Sequence, residues 1–150
     1  MAQLTTLVLF RRPGEVLLGF KKRGFGAGKW NGFGGKVKPG EDVEAAARRE
    51  LTEECGLTAG AMEKAAEIFF TFENDPLEID MHVFVCDEAQ GDIAESDEMR
   101  PEWFPQDALP SPMWADDPIW MARVFAGERL RGRISFRDYD TVISHELEVF

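Results

Sequence analysis

Three glutamates, Glu50, Glu53 and Glu54, follow one another at i, i+3 and i+4 within residues 41–55, a stretch free of glycine and proline that ends at Gly56. On an α-helix this spacing places the three carboxylates on one arc within a turn and a half. The same arc carries Val43, Ala46 and Ala47, while Ala45, Arg48 and Thr52 form an opposite face better suited to water. Like charges at i, i+4 oppose helix formation by about 0.2–0.5 kcal/mol per pair, and more where water is excluded, so the cluster needs a compensating cation. Arg49 reaches Glu53 at i, i+4, but one guanidinium cannot satisfy three carboxylates. Hard divalent cations can, and a donor set made only of oxygens suits Mg²⁺ or Mn²⁺ rather than zinc. A solvated acidic face is the alternative that these residues alone leave open.

Such a helix must be held by a folded body. The chain has 150 residues, 44% of them apolar and 11% aromatic, which is enough for one globular domain and too hydrophobic for an acidic disordered tail. A net charge of −11 disfavours binding to nucleic-acid backbone or anionic membrane. The charge is uneven: residues 1–40 carry eight bases against Glu15, and residues 87–120 carry ten acids against Arg100. One end of the molecule can receive anions while the other collects cations. Cys55 and Cys86 lack any CxxC spacing and read as buried thiols in a reducing compartment. Residues 4–10, the longest early apolar run, have neither a basic lead nor a cleavage site, and no run approaches a membrane span. The expectation is a cytoplasmic monomer that binds neither nucleic acid nor membrane.

Residues 4–10 and 15–20 read as strands of a hairpin turned by Arg11-Arg12-Pro13-Gly14. Seven glycines between residues 24 and 40 mark a long loop of the kind that usually serves function. The carboxylate helix follows over residues 41–55. Residues 67–72 and 80–86 read as strands, and residues 99–104 as a strand pushed to an edge by Pro101. Asp117-Pro118 predicts the start of a second helix, with Asp117 as N-cap, running to Gly127. Residues 131–137 and 141–149 close the chain as strands. The sum is a mixed α/β fold with one sheet and covering helices. His82 and His145 read as strand residues with satisfied nitrogens, and no nucleophilic triad is visible.

Gly35, Glu41 and the run Arg49-Glu50-Leu51-Thr52-Glu53-Glu54-Cys55-Gly56-Leu57 reproduce the pattern G-x5-E-x7-R-E-U-x-E-E-x-G-U, with U aliphatic, at every fixed position. This resembles the Nudix box, over residues 35–57, and the signal is far more specific than a lone glycine triplet. The resemblance implies an α/β/α sandwich with a central mixed β-sheet, and hydrolysis of a nucleoside diphosphate linked to another group. It implies two or three Mg²⁺ ions held by Glu50, Glu53, Glu54 and the Gly34 carbonyl, with Arg49 orienting a catalytic glutamate. Glu50 or Glu53 would be the general base, and Glu98 is a further candidate for base or metal ligand. Such ions relieve charge on a polyphosphate and acidify an attacking water.

The likeness extends beyond the box, through Lys21 to Val37, Met81-His82-Val83-Phe84, residues 95–101 and residues 113–117, to MutT-type Nudix enzymes that destroy oxidised purine nucleoside triphosphates. That implies a small nucleotide as substrate, 8-oxo-dGTP and 2-oxo-dATP first, cleaved to monophosphate and pyrophosphate. By position, Asn31, Asp116 and Asp117 would hydrogen-bond the base and Trp114 would stack on it. Phe25, Phe70, Phe72, Met99 and Trp120 match pocket walls, Ile79 stands at a pocket position where such enzymes have Met, and Thr6, Lys21 and Gly35 lie near the ligand. Adjacent carboxylates in a semi-dry pocket cannot both ionise easily, so one of Asp116 and Asp117 can hold a proton and donate while the other accepts. Helix capping is the competing use for the pair. Other modified purine nucleotides, dinucleoside polyphosphates, or a noncatalytic nucleotide sensor are the rival readings.

Overall fold

The computed structural model describes residues 2–150. β1 (Gln3–Arg12) and β2 (Glu15–Lys21) form the expected hairpin, turned at Pro13-Gly14. A loop with the short β3 (Trp30–Asn31) leads to α1 (Val43–Cys55), and β4 (Thr58–Ala59) follows. β5 (Met62–Phe72) and β6 (Asp75–Cys86) form a long antiparallel hairpin, after which come β7 (Ala89–Gln90) and β8 (Met99–Pro105). α2 (Asp117–Phe125) precedes a second hairpin of β9 (Leu130–Phe136) and β10 (Val142–Val149). The main sheet runs β10-β9-β5-β6-β1-β2-β3, with β8 also paired to β2. It is mixed as expected: β1 with β6 and β5 with β9 are parallel, the other pairs antiparallel.

Strand alternation sends apolar side chains to both faces, so there are two cores. On one face Ile68, Phe70, Val83, Ile134 and Phe136 pack with Trp120, Met121 and Val124 of α2. On the other Val8, Leu17, Phe33 and Phe84 meet Ala47, Leu51 and Cys55 of α1. Two helices thus clamp one sheet. Pro101 and Pro105 sit in β8, whose partner is β2, in keeping with the edge position foreseen for this strand.

Two helix starts differ from expectation. α1 begins at Val43, not Glu41, because Asp42 takes the N-cap and its Oδ2 accepts from the Ala45 N–H at 3.1 Å. Glu41 is left outside the helix and free to pair elsewhere. α2 has Asp116, not Asp117, at its N-cap position, and neither carboxylate caps the helix. Asp117 is its first helical residue, followed by Pro118. These acids serve something other than the helix end.

Candidate active site

Arg49 is the hub of the carboxylate helix. Arg49 grips Glu41 with two parallel bonds, Nε to Oε2 at 2.8 Å and Nη2 to Oε1 at 2.9 Å. Its Nη1 also donates to Glu50 at 2.9 Å and Glu53 at 3.2 Å. The guanidinium fork matches a carboxylate, so Glu41 is pulled down to about 2 by that bidentate pairing. One arginine therefore does hold three carboxylates, but Glu41 replaces Glu54 in the set. Among the described residues no group of three acidic, His or Cys side chains is arranged to hold a metal as the side chains stand, Glu50 and Glu53 being turned to Arg49 and Glu54 to the Gly34 N–H.

The three differ in depth. Glu53 is half exposed, Glu50 mostly buried, and Glu54 only 3% exposed. Glu54 Oε1 accepts from the Gly34 N–H at 2.8 Å, whereas Oε2 is buried without any partner. Burial pushes its carboxyl up to about 8, against the Gly34 bond and Lys21. Desolvation likewise raises Glu50, opposed by Arg49. Gly34 is where it is because a Cβ there would stand 1.8 Å from the Thr6 carbonyl oxygen, and a Cβ on Gly35 would stand 2.7 Å from the Glu50 carboxyl. The loop backbone thus lies directly against the acids. An orphaned carboxylate oxygen, a desolvated neighbour and oxygen-only donors fit a hard divalent cation.

Glu98 is half-buried and its Oε2 lies 3.8 Å from the Lys21 ammonium. Lys22 pairs with Glu95 and donates to the Ser96 carbonyl at 2.7 Å. The basic beginning and the acidic segment, which sequence separates, are folded against each other.

A cavity of about 180 Å³ opens beside these groups. Glu54, Gly34, Gly35, Thr6, Lys21 and Met99 line it, as do Asn31, Asp116, Asp117 and Trp114, with Phe25, Phe70, Phe72 and Ile79. The structure thus gathers residues from across the sequence, from Thr6 to Asp117. Trp120 is the exception: it is fully buried behind Asp116, away from the cavity lining, and its indole N–H donates to Asp116 Oδ2 at 2.8 Å. Met81 and Phe136 line the cavity without having been singled out. Alternation along β6 and β9 marks both as inward-facing, but no local signal separates a wall residue from a core residue.

Polar groups in the cavity are specifically prepared. Asn31 Oδ1 accepts from the Gly32 N–H at 2.9 Å, which leaves the side-chain N–H₂ as a free donor. Asp116 and Asp117 are 5% and 2% exposed. Burial raises both carboxyls, and the neighbouring Asp116 charge raises Asp117 further. Asp116 has the Trp120 donor to support its ionised form, whereas Asp117 Oδ2 has no partner. Asp117 is therefore the member of the pair that keeps the proton and Asp116 the acceptor. Among the described residues four buried side-chain polar atoms lack a partner, and three of them, Thr6 Oγ1, Glu54 Oε2 and Asp117 Oδ2, belong to residues lining this one cavity. The fourth is His82 Nδ1, so that histidine is not fully satisfied as expected.

A mixed sheet between two helices, a complete box motif and an acid-lined cavity define a class, and comparison agrees: the Nudix domain matches residues 1–124, and the chain belongs to the Nudix family of hydrolases. Nudix hydrolases act on small-molecule nucleotides and generally use divalent metal ions such as Mg²⁺. The chain is 51% identical over 148 residues to the oxidized purine nucleoside triphosphate hydrolase of Danio rerio, covering 98% of this chain and 95% of that protein. It is 46% identical to the Mus musculus protein of the same name, covering 97% and 94%. Among solved structures, a MutT protein from Bacillus halodurans superposes with a TM-score of 0.86 at 26% identity, covering 97% of both chains.

Proposed function

We propose that this chain hydrolyses oxidised purine nucleoside triphosphates, 8-oxo-dGTP and 2-oxo-dATP first, to the monophosphate and pyrophosphate, and so clears the nucleotide pool of bases that mispair. The observation that carries this reading is the set of three orphaned polar atoms around one cavity. Buried polar groups are almost always paired, so a ligand must complete them. Glu54 calls for a cation, and Asp117 with Thr6 for a polar ligand edge. A metal-bound polyphosphate attached to a base supplies both. The names of the two animal relatives point the same way.

Glu50, Glu53, Glu54 and Glu98, with the Gly34 carbonyl, would hold two or three Mg²⁺ ions, or Mn²⁺ in their place. When bound, the ions neutralise phosphate charge and acidify a water molecule. Arg49 fixes Glu50 and Glu53 through its guanidinium, so either of them would be already oriented to take the proton from the attacking water. Glu50, Glu53 and Glu98 are the candidates for that base. Water attacks the β-phosphorus, and Lys21 stabilises the phosphate oxygens from the cavity wall. At the other part of the ligand, Asn31 donates, Asp116 accepts and Asp117 donates its proton, while Trp114 stacks on the ring. A carboxyl pair that shares a proton can serve more than one purine edge, which suits both 8-oxoguanine and 2-oxoadenine. The setting assumed is a monomer in the cytoplasm.

The test incubates the purified chain with Mg²⁺ and a panel of normal and oxidised nucleotides, separating products by chromatography. Monophosphate and pyrophosphate from the oxidised purines at kcat/KM above that for dGTP, with ¹⁸O from labelled water in the pyrophosphate, is the expected result. Orthophosphate release, or no preference for oxidised purines, would refute the proposal.

A further inference from the structure

Phe25 is the least supported wall of the cavity. It is 52% exposed, and its segment has three glycines, Gly24, Gly26 and Gly28, at φ of 81°, 86° and 85°. A loop of that composition loses much conformational freedom when it is ordered against a ligand. Besides Trp114, at 5.1 Å between ring centroids, its aromatic neighbour is Tyr139, at 5.6 Å and 87°. Tyr139 lies in the turn between β9 and β10, far from the box in sequence.

The same tyrosine reaches the other side of the cavity mouth. Its ring packs on Phe72 at 5.2 Å and 55°, and its hydroxyl donates to Asp75 at the start of β6. The next residue, Asp140, lies 3.5 Å from the Lys29 ammonium, which in turn lies 5.1 Å over the Trp114 ring. Two consecutive residues of one turn are thus fastened to the glycine-rich loop, and Tyr139 is fastened to the β5–β6 hairpin as well. Tyr139 itself does not line the cavity.

We propose that Tyr139 is a positioning residue for recognition of the base: its ring bridges Phe25 and Phe72 and holds the exposed Phe25 ring in place before the ligand arrives. The inference deepens the function proposed above and rests on it. Ordering Phe25 in advance removes that cost from binding, so the effect appears in affinity for base-bearing ligands and not in the chemical step. It comes from the aromatic faces, not from the hydroxyl, since the rings are what touch the walls.

The test compares Tyr139→Ala and Tyr139→Phe with the unaltered chain. Calorimetry measures Kd for 8-oxo-dGMP without metal, and steady-state kinetics with Mg²⁺ gives KM and kcat for 8-oxo-dGTP. Tyr139→Ala is expected to raise Kd and KM together about three- to tenfold with kcat unchanged, the span of one aromatic pair. Tyr139→Phe is expected to stay within about twofold of the unaltered chain on the same measurements. If the unaltered chain neither binds 8-oxo-dGMP nor turns over 8-oxo-dGTP, the base-reading function itself fails. If it does both, then an alanine variant with unchanged Kd, a phenylalanine variant as weak as alanine, or a loss confined to kcat overturns the role of Tyr139.

Discussion

Replacing Asp116 by Asn should make the metal-free protein more stable, and increasingly so as pH rises. In the unfolded chain this carboxyl ionises near its ordinary 3.8, whereas burial in the folded protein pushes it up to about 6. Between those values the unfolded state binds fewer protons than the folded one, so stability falls as pH rises through the interval. Above it the folded protein carries the full penalty of an ionised buried carboxylate, about 3 kcal/mol on the usual conversion of 1.36 kcal/mol per pH unit. Asn keeps an oxygen to accept from the Trp120 indole and removes the ionisation. It also lifts the Asp116 charge from Asp117, which widens the difference in the same direction. Any fixed cost of the amide is the same at every pH, so the test lies in the slope. Urea unfolding of both proteins with a chelator at pH 4, 5.5, 7 and 8 should show the advantage of Asp116→Asn growing by about 3 kcal/mol, mostly below pH 7. A difference that does not change with pH would refute the claim that burial raises the Asp116 carboxyl, and one still growing above pH 7 would refute the claim that Asp116 ionises inside the folded protein. The same substitution should cost activity, because the cavity loses its charged acceptor.

Glu54→Gln should lower turnover with Mg²⁺ by at least about a hundredfold, and in chelator it should remove the loss of stability that the unaltered protein shows as pH rises from the ordinary 4.5 to about 8; activity assays paired with thermal melts at pH 5 and 9 separate the two effects. Gly34→Ala drives a Cβ into the Thr6 carbonyl and shifts the amide that holds Glu54, so it should cost at least about 3 kcal/mol and abolish activity together, as denaturant melts and kinetics would show. Asn31→Ala should raise KM for 8-oxo-dGTP more than for dGTP with little change in kcat; equal effects on both would remove Asn31 from base discrimination. Without metal, 8-oxo-dGMP should bind more tightly than 8-oxo-dGTP by calorimetry, and Mg²⁺ should reverse that order, because added phosphates meet the carboxylates around Glu50, Glu53 and Glu98 with no cation between.

The carboxylate helix was legible because its evidence is local: helical spacing puts the acids on one arc whatever surrounds them. How each acid is satisfied was not, because the partners are set by contacts outside that spacing. Glu41 is eight residues from Arg49 and lies outside the helix, yet it takes the arginine fork that local spacing assigned to Glu53. Glu54 is isolated by a loop amide twenty residues earlier in the chain. The second helix shows the opposite failure, where a sound local rule gives the wrong residue. Asp117 before Pro118 has the pattern of a cap, but its side chain is turned into the cavity at the cost of capping, a conflict between local preference and global structure that is typical of sites held for a ligand. Two-residue strands such as β3, β4 and β7 have no periodicity to detect, and Pro76 hid the first part of β6. Met81 and Phe136 were recognisable as inward-facing; which part of a core is left open depends on how β5, β6 and β9 assemble.

The net charge of −11 takes on a different meaning once the fold is known. Lys22 is paired with Glu95 and, of the two lysines, only Lys21, 3.8 Å from Glu98, reaches the cavity, so part of the basic beginning is already committed to the acidic segment. Within reach of the cavity that leaves Lys21 opposing Glu50, Glu54 and Glu98, all of which influence one another electrostatically. A polyphosphate entering such a site adds negative charge to negative charge in a place where burial has already made one carboxylate reluctant to ionise. On the proposed function, cations would arrive with the nucleotide or before it, and their binding at Glu54 would draw that carboxyl into its ionised form. On that reading the excess of acid at this site would make metal and nucleotide depend on each other.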